Sequence, residues 1–202
     1  MKGTKSWMLS MAAMLVTSSA VAQAVPAAES APVDVAVTYV ALRTNHITGQ
    51  SFWMQGGAVE LGARAYRGLG IAARVEGEYA GTNTTTGEPL SMVIAVFGPR
   101  YTMESRGGRY AIFGEGLAGI SNGFHSLFSE GSGPVGSVNA GTTSSSNALA
   151  VETGGGVDVR LRRHVAIRAI QANYVRTQFP NTTTNVQNSF SVGAGVVLRL
   201  GK

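Results

Sequence analysis

The sequence predicts an all-β fold, an eight-stranded antiparallel up-and-down transmembrane β-barrel with short turns on one side and long polar loops on the other. Three observations predict it. Eight segments of strand length alternate apolar with small or polar residues, and within most of them every charge falls on one parity. Glycine and other small residues often share that charged parity, with Gly77, Gly114, Gly116 and Gly155 as departures. Beyond the first residues, no stretch reaches the roughly 20 apolar residues of a spanning helix. A charged face bathed in water gains nothing from glycine. A charged face turned into a narrow barrel must interleave long side chains with small ones. The charged parity is therefore assigned to the lumen, and the Val, Leu, Ile, Phe and Tyr parity to lipid.

The chain opens with a leader. Lys2 and Lys5 form a basic start, Trp7 to Val16 an apolar run, and Ser18 to Ala24 a small-residue stretch. Ala20-Val21-Ala22 and Ala22-Gln23-Ala24 both fit a signal-peptidase site, so residues 1–24 read as a signal peptide cleaved after Ala22 or Ala24. Residues 25–32, small and proline-punctuated, read as a flexible lead into a barrel domain over 33–202.

The first strand is expected over 33–42, with Val33, Val35, Val37 and Tyr39 opposite Asp34, Ala36 and Thr38. A polar loop from Arg43 to Ser51 leads to the second, 52–66, where Val59 and Leu61 oppose Gly56, Glu60, Gly62 and Arg64. Arg67-Gly68 makes a tight turn into 69–80, whose Ile71, Ala73, Val75 and Tyr79 oppose Arg74, Glu76 and Glu78. After a Thr, Asn and Gly loop comes 90–103, with Phe97 and Tyr101 opposite Gly98 and Arg100. Pro99 cannot donate to a ladder, so a local bulge is expected there.

A turn holding Gly107-Gly108 leads to 110–121, with Glu115 on the inner parity. The longest loop, from Asn122 to Ser146, is Gly, Ser, Thr and Asn, and is expected to be mobile. In 147–160, Leu149, Val151, Val157 and Val159 oppose Glu152, Gly154, Gly156 and Asp158. A tight basic turn at Arg160 to His164 joins it to 165–177, whose phase is open because Arg168 and Gln171 fall on opposite parities. The last strand, 188–200, sets Phe190, Val192, Val196, Leu198 and Leu200 against Ser191, Gly193, Gly195 and Arg199.

All eight segments reach the roughly 9–11 residues of a tilted spanning strand. Closure into a ring is required, because unpaired backbone groups find no water in a bilayer. Trp53, Tyr79 and Phe179 near the loop ends, and Tyr101 and Tyr110 near the turn ends, suit two aromatic girdles.

Phe97-Gly98-Pro99-Arg100-Tyr101, the run Gly154-Gly155-Gly156-Val157-Asp158-Val159-Arg160, and Arg168 through Gln171 to Tyr174 carry a resemblance. From about Val33 to Leu200 the chain resembles the small eight-stranded outer-membrane barrels, the OmpA-like transmembrane and opacity-type domain. It is especially similar to barrel proteins of Acidobacteria and their relatives. The resemblance implies export to a bacterial outer membrane and a monomer embedded in outer-membrane lipid. It also implies dependence on the barrel-assembly machinery and periplasmic chaperones during biogenesis. One departure is the ending Leu198-Arg199-Leu200-Gly201-Lys202, which lacks the terminal aromatic such barrels often carry. No peptidoglycan-binding domain is expected after the last strand.

Charged residues make up only 13% of the chain, with 27 glycines and no cysteine, which is unusual for a soluble enzyme and leaves no disulfide, thiolate or Cys-based metal chemistry. The formal charge is +5; without Lys2 and Lys5, 14 basic residues face 11 acidic ones, too scattered for a nucleic-acid footprint. Gly114-Glu115-Gly116-Leu117-Ala118-Gly119 matches a dinucleotide-loop spacing, but a loop opening follows where a helix is required, and no acid lies near 134–140. Gly68 to Ala73 fails likewise, being a hairpin turn. No cofactor, metal or catalytic residue is expected. Of three histidines (His46, His125, His164), only His125, beside Ser126 and near Glu130, offers a local catalytic grouping, and its spacing matches no defensible motif. Asn83-Thr84-Thr85 and Asn181-Thr182-Thr183 match a glycosylation pattern by chance.

The candidate site is a charge network inside the barrel: Glu60, Arg64, Arg74, Glu76, Glu78, Arg100, Glu115, Glu152 and Asp158. As a plug it makes the protein structural, or a presenter of the long loop to a surface partner, without enzymatic activity. As a gated path it makes a narrow pore or small-solute channel. A lipid-modifying enzyme and a soluble lipid-binding barrel with inverted faces complete the alternatives.

Overall fold

A computed structural model describes residues 33–47, 50–81, 89–129, 142–179 and 186–200. The expected leader and lead-in (1–32), both glycosylation-like patterns and Glu130 lie outside these residues, as do the side chains of His46 and Ser126. Eight strands form one closed antiparallel ring in sequence order: β1 (Val33–Ile47), β2 (Gln50–Tyr66), β3 (Leu69–Ala80), β4 (Leu90–Glu104), β5 (Tyr110–Ser129), β6 (Thr142–Arg162), β7 (Val165–Thr177) and β8 (Gln187–Leu200). β1 pairs with β8 from Val33↔Leu200 to Arg43↔Phe190, so no edge is left open along the seam.

Alternation sets the two surfaces. β3 reads outward-inward without a break: Arg74, Glu76 and Glu78 are buried while Ile71, Val75 and Tyr79 are exposed. Its 12 residues rise roughly 40 Å and, tilted by about 45°, cover about 28 Å, which matches an apolar band of about 25 Å. The outer surface is the apolar one, with Phe97 71% and Ile71 68% exposed, which rules out the inverted soluble barrel. Trp53, Tyr79, Tyr101 and Tyr110 face outward near the two rims. Phe179 does not join them. The Gln187 carboxamide accepts from the Phe179 backbone N–H (2.8 Å) and donates to its carbonyl (3.1 Å), a clamp that turns the ring inward over the lumen.

Three further expectations are corrected. The segment from Arg43 to Ser51 is mostly strand rather than loop, because β1 and β2 keep pairing past a register shift between Thr44 and Ile47. Within the expected loop from Asn122 to Ser146, residues 122–129 and 142–146 are strand, and 130–141 lie outside the described residues. β5 and β6 pair out to Ser129↔Thr142, helped by the Asn122 carboxamide donating to Asn147 (2.8 Å). A polar composition lacks a core to bury, but the ladder satisfies its backbone all the same. Pro99 causes no bulge: the β4–β5 register is the same at Phe97↔Ala118 and Arg100↔Glu115, and exposed Pro99 lies where the ladder skips its donor.

The open phase of β7 is settled by a bulge. Asp158 pairs with Arg168 and Val157 with Ile170, and on the other side Arg168 and Gln171 pair with Gly195 and Gly193. One extra residue between Arg168 and Gln171 lets both point into the lumen.

Candidate functional site

The lumen is built in layers. At its centre lies a cluster from five strands. Arg168 (β7) donates through Nε to Asp158 (2.9 Å) and through Nη1 to Glu60 (2.6 Å) and to the side-chain Oε1 of Gln171 (3.0 Å). Arg100 (β4) donates through Nε to Glu115 (2.9 Å), which its Nη2 also engages, and pairs with Glu60 at 2.5 Å. The Gln171 amide closes the circuit by donating to Glu60 (3.2 Å) and Glu115 (2.9 Å). The Phe113 ring lies 4.4 Å from each guanidinium, so it is stacked by two cations. Glycine makes the room: a Cβ on Gly156 would sit 2.8 Å from the Phe113 ring, and one on Gly62 would sit 3.0 Å from Arg100.

Above this cluster, toward the loop end, a single guanidinium serves three carboxylates. Arg74 pairs with Glu76 (2.6 Å) and Glu152 (3.6 Å) and reaches Glu115 at 4.0 Å. Glu78, two residues beyond Glu76, makes no ion pair among the described residues. Beside these carboxylates and on toward the loop end the lumen turns apolar: Leu42, Met54, Leu90, Ile94, Leu117, Val175 and Phe179 are all at most 2% exposed and form one cluster, in which Ile94 pairs with Glu76, and Leu117 and Val175 with Glu152. Below the central cluster, at the turn end, Glu104 gathers Arg64 (2.5 Å), Arg199 (3.4 Å) and Arg160 (3.6 Å), and Asp34 lies between Arg64 and Arg199.

All nine sequence-selected charges therefore face inward, in three groups. Glu60, Arg100, Glu115 and Asp158 meet in the central cluster, Arg74, Glu76, Glu78 and Glu152 above it, and Arg64 at the turn-end mouth. Sequence reasoning missed Arg168, which makes the most polar contacts of any of them, together with Gln171, Asp34, Glu104, Arg160 and Arg199. It also missed the apolar layer entirely.

Of the local grouping at His125, the Ser126 side chain and Glu130 lie outside the described residues. His125 is exposed, has φ of 61°, and sits where three residues of β5 face one of β6, between Phe124↔Ser145 and Phe128↔Thr143. Its Nδ1 lies 3.3 Å from the Ser91 hydroxyl, with no carboxylate behind it among the described residues. Among the described residues no group of His, Asp or Glu side chains is arranged to hold a metal.

No protein-family model and no curated protein matches the chain. Solved structures do. Neisserial surface protein A (NspA) superposes with a TM-score of 0.59 at 13% identity, covering 83% of this chain and 97% of that one. Ail, the attachment invasion locus protein of Yersinia pestis, superposes at 0.55 with 11% identity, covering 84% and 99%. Ail in complex with the heparin analogue sucrose octasulfate gives 0.55 at 13% identity over the same shares. The continuous ring, the apolar exterior and these superpositions lead to one identification: the chain has the fold of the small eight-stranded outer-membrane β-barrels.

Proposed function

We propose that the chain is a bacterial outer-membrane barrel that neither conducts nor catalyses, and that its role is to hold the β5–β6 hairpin out from the membrane toward a surface partner. The observation that carries this reading is the filled lumen. A solute entering from the loop end meets Phe179, Leu42, Met54 and Ile94, and behind them an ion-paired cluster whose guanidiniums are already engaged. Eight strands enclose a space that side chains fill. The hairpin supports the presenting half of the reading. β5 and β6 run 20 and 21 residues against 12 for β3, so the pair continues well past the apolar band. Ail, with the same fold, is named for attachment and invasion and has been captured with a heparin analogue, which favours a surface-contact role here too.

Planar-bilayer recording tests the closed lumen: a silent trace is expected, and stepwise currents at low voltage would establish the pore instead. Replacing residues 126–144 by a short turn tests presentation. The shortened chain should still show the heat-dependent gel mobility of a closed barrel while losing binding to surfaces that the full chain coats. Equal binding by both would remove the hairpin from the role.

A further inference from the structure

The basic turn at Arg160 to His164 has no place in the closed-lumen reading, and it is not alone. Eight of the thirteen arginines lie at the turn end, where Asp34 and Glu104 are the only acids among the described residues. Both acids are taken up by Arg64, Arg160 and Arg199. The other five, Arg67, Arg106, Arg109, Arg162 and Arg163, are exposed and make no ion pair among the described residues. Eight guanidiniums against two carboxylates leave an excess of six positive charges on one rim of a small barrel. The opposite rim exposes only Arg43 and Arg176 among the described residues.

The height of these guanidiniums is fixed by what they touch. Arg67 lies 5.0 Å from the ring of Tyr66, and Arg109 lies 5.9 Å from that of Tyr110. Both tyrosines are outward-facing and exposed at the edge of the apolar band. Tyrosine there marks the level at which acyl chains give way to headgroups. Beside Arg67, between the β2–β3 turn and the end of β4, is an open cleft of about 620 Å³. Its walls include Arg64, Glu104 and the exposed Tyr66, Tyr101 and Met103, with the Glu104 carboxylate held by Arg64 at 2.5 Å, and Leu69, paired with Tyr101, continues the apolar surface toward the band. The cleft thus sets a guanidinium at the end of an apolar track. That combination fits a phosphate carried on an acyl chain, since guanidinium binds phosphate bidentately and the track takes the chain.

We propose that the turn end of the barrel is a binding surface for anionic phospholipids of the leaflet it faces, with the cleft beside Arg67 seating one headgroup phosphate. This rests on the barrel being membrane-inserted. Unpaired guanidiniums close to an anionic lipid surface each add to the attraction, and the sum falls with salt.

The test uses the full chain folded into vesicles of phosphatidylcholine, with and without phosphatidylglycerol, and confirmed as inserted by its heat-dependent gel mobility. Electron spin resonance of spin-labelled lipids then reads which lipid lies against the protein. Phosphatidylglycerol should associate about fivefold or more over phosphatidylcholine. High salt should remove that preference, and so should joint replacement of the five exposed arginines by glutamine, whereas Arg43→Gln with Arg176→Gln should retain it. Equal association of the two lipids, or a preference that survives high salt, would overturn the proposal even if the five-site variant failed to fold. A preference abolished by soluble glycerophosphate at matched concentration would overturn it too, since the rim would then read free phosphate rather than a lipid. Failure to insert into any vesicle would remove the membrane reading itself, and is seen on the gel before any lipid is compared.

Discussion

Compare the lumen just above and just below Arg74. Below it, Arg100 and Arg168 distribute their donors over Glu60, Glu115, Asp158 and Gln171, and nearly every polar atom has a partner. Above it, Leu42, Met54, Leu90 and Ile94 interdigitate with Leu117 and Val175. Both regions exclude solute, yet their tolerances differ. An ionic plug fails when one partner is removed, because the others remain buried and charged. An apolar plug fails in proportion to the volume removed. Between them the group around Arg74 holds an excess of carboxylate, so it should respond with the opposite sign.

The largest effect is expected in the central cluster. Arg168→Met strands Asp158 and half of Glu60, and should cost about 3–5 kcal/mol in urea unfolding from lipid vesicles, followed by Trp53 fluorescence. Adding Asp158→Asn should recover part of that loss. A single variant within about 1 kcal/mol of the parent would show that water solvates the cluster, and the comparison would collapse.

Next comes Ile94→Ala in the apolar layer, which is wholly buried and should cost about 3 kcal/mol by the same assay. Its bilayer trace should stay silent, because the ion cluster beneath is untouched. Current through this variant would mean that the apolar layer alone closes the tube.

A smaller effect is expected from Gly156→Ala. The added methyl would meet the Ile170 backbone carbonyl at 2.5 Å and the Phe113 ring at 2.8 Å and should cost about 1–3 kcal/mol, whereas Gly116→Ala, where nothing lies within 4 Å, should leave the unfolding midpoint unchanged. Equal effects at the two sites would deny that glycine is there to clear the lumen.

The smallest effect carries the opposite sign. Glu78→Gln removes a buried carboxylate that has no ion pair among the described residues, beside the three that share Arg74, and should leave stability unchanged or raise it by about 1 kcal/mol. A loss comparable to that of Arg168→Met would mean that Glu78 holds a partner of its own.

Much of this was legible from period-two patterning. β3 sorts its charges and aliphatics without ambiguity, and that sorting placed Arg74, Glu76 and Glu78 inside. Patterning fell silent where both faces are apolar: in β4, Met92, Ile94 and Val96 point in while Val93 and Phe97 point out, and hydrophobicity alone cannot separate them. It left the phase open where a residue is inserted. Arg168 and Gln171 are three apart, so a regular strand cannot send both inward, and only the bulge around Ala169 does. The signal was present in Arg168 and Gln171 themselves, two strongly polar side chains within the membrane-spanning stretch that a lipid-facing surface would not tolerate. The long hairpin was hidden for another reason: Ser, Thr and Asn look the same in a loop and in a strand that has left the membrane.

The span of the Arg168 contacts has a consequence for assembly. Glu60 and Arg168 are 108 residues apart, on strands that meet only across the lumen, and β1 must find β8 before that lumen exists. An open, half-inserted sheet would leave both groups to water, with nothing gained from their attraction. The ion pairs therefore form late and all at once. They add a steep final step to folding that separates a finished ring from every partly built one.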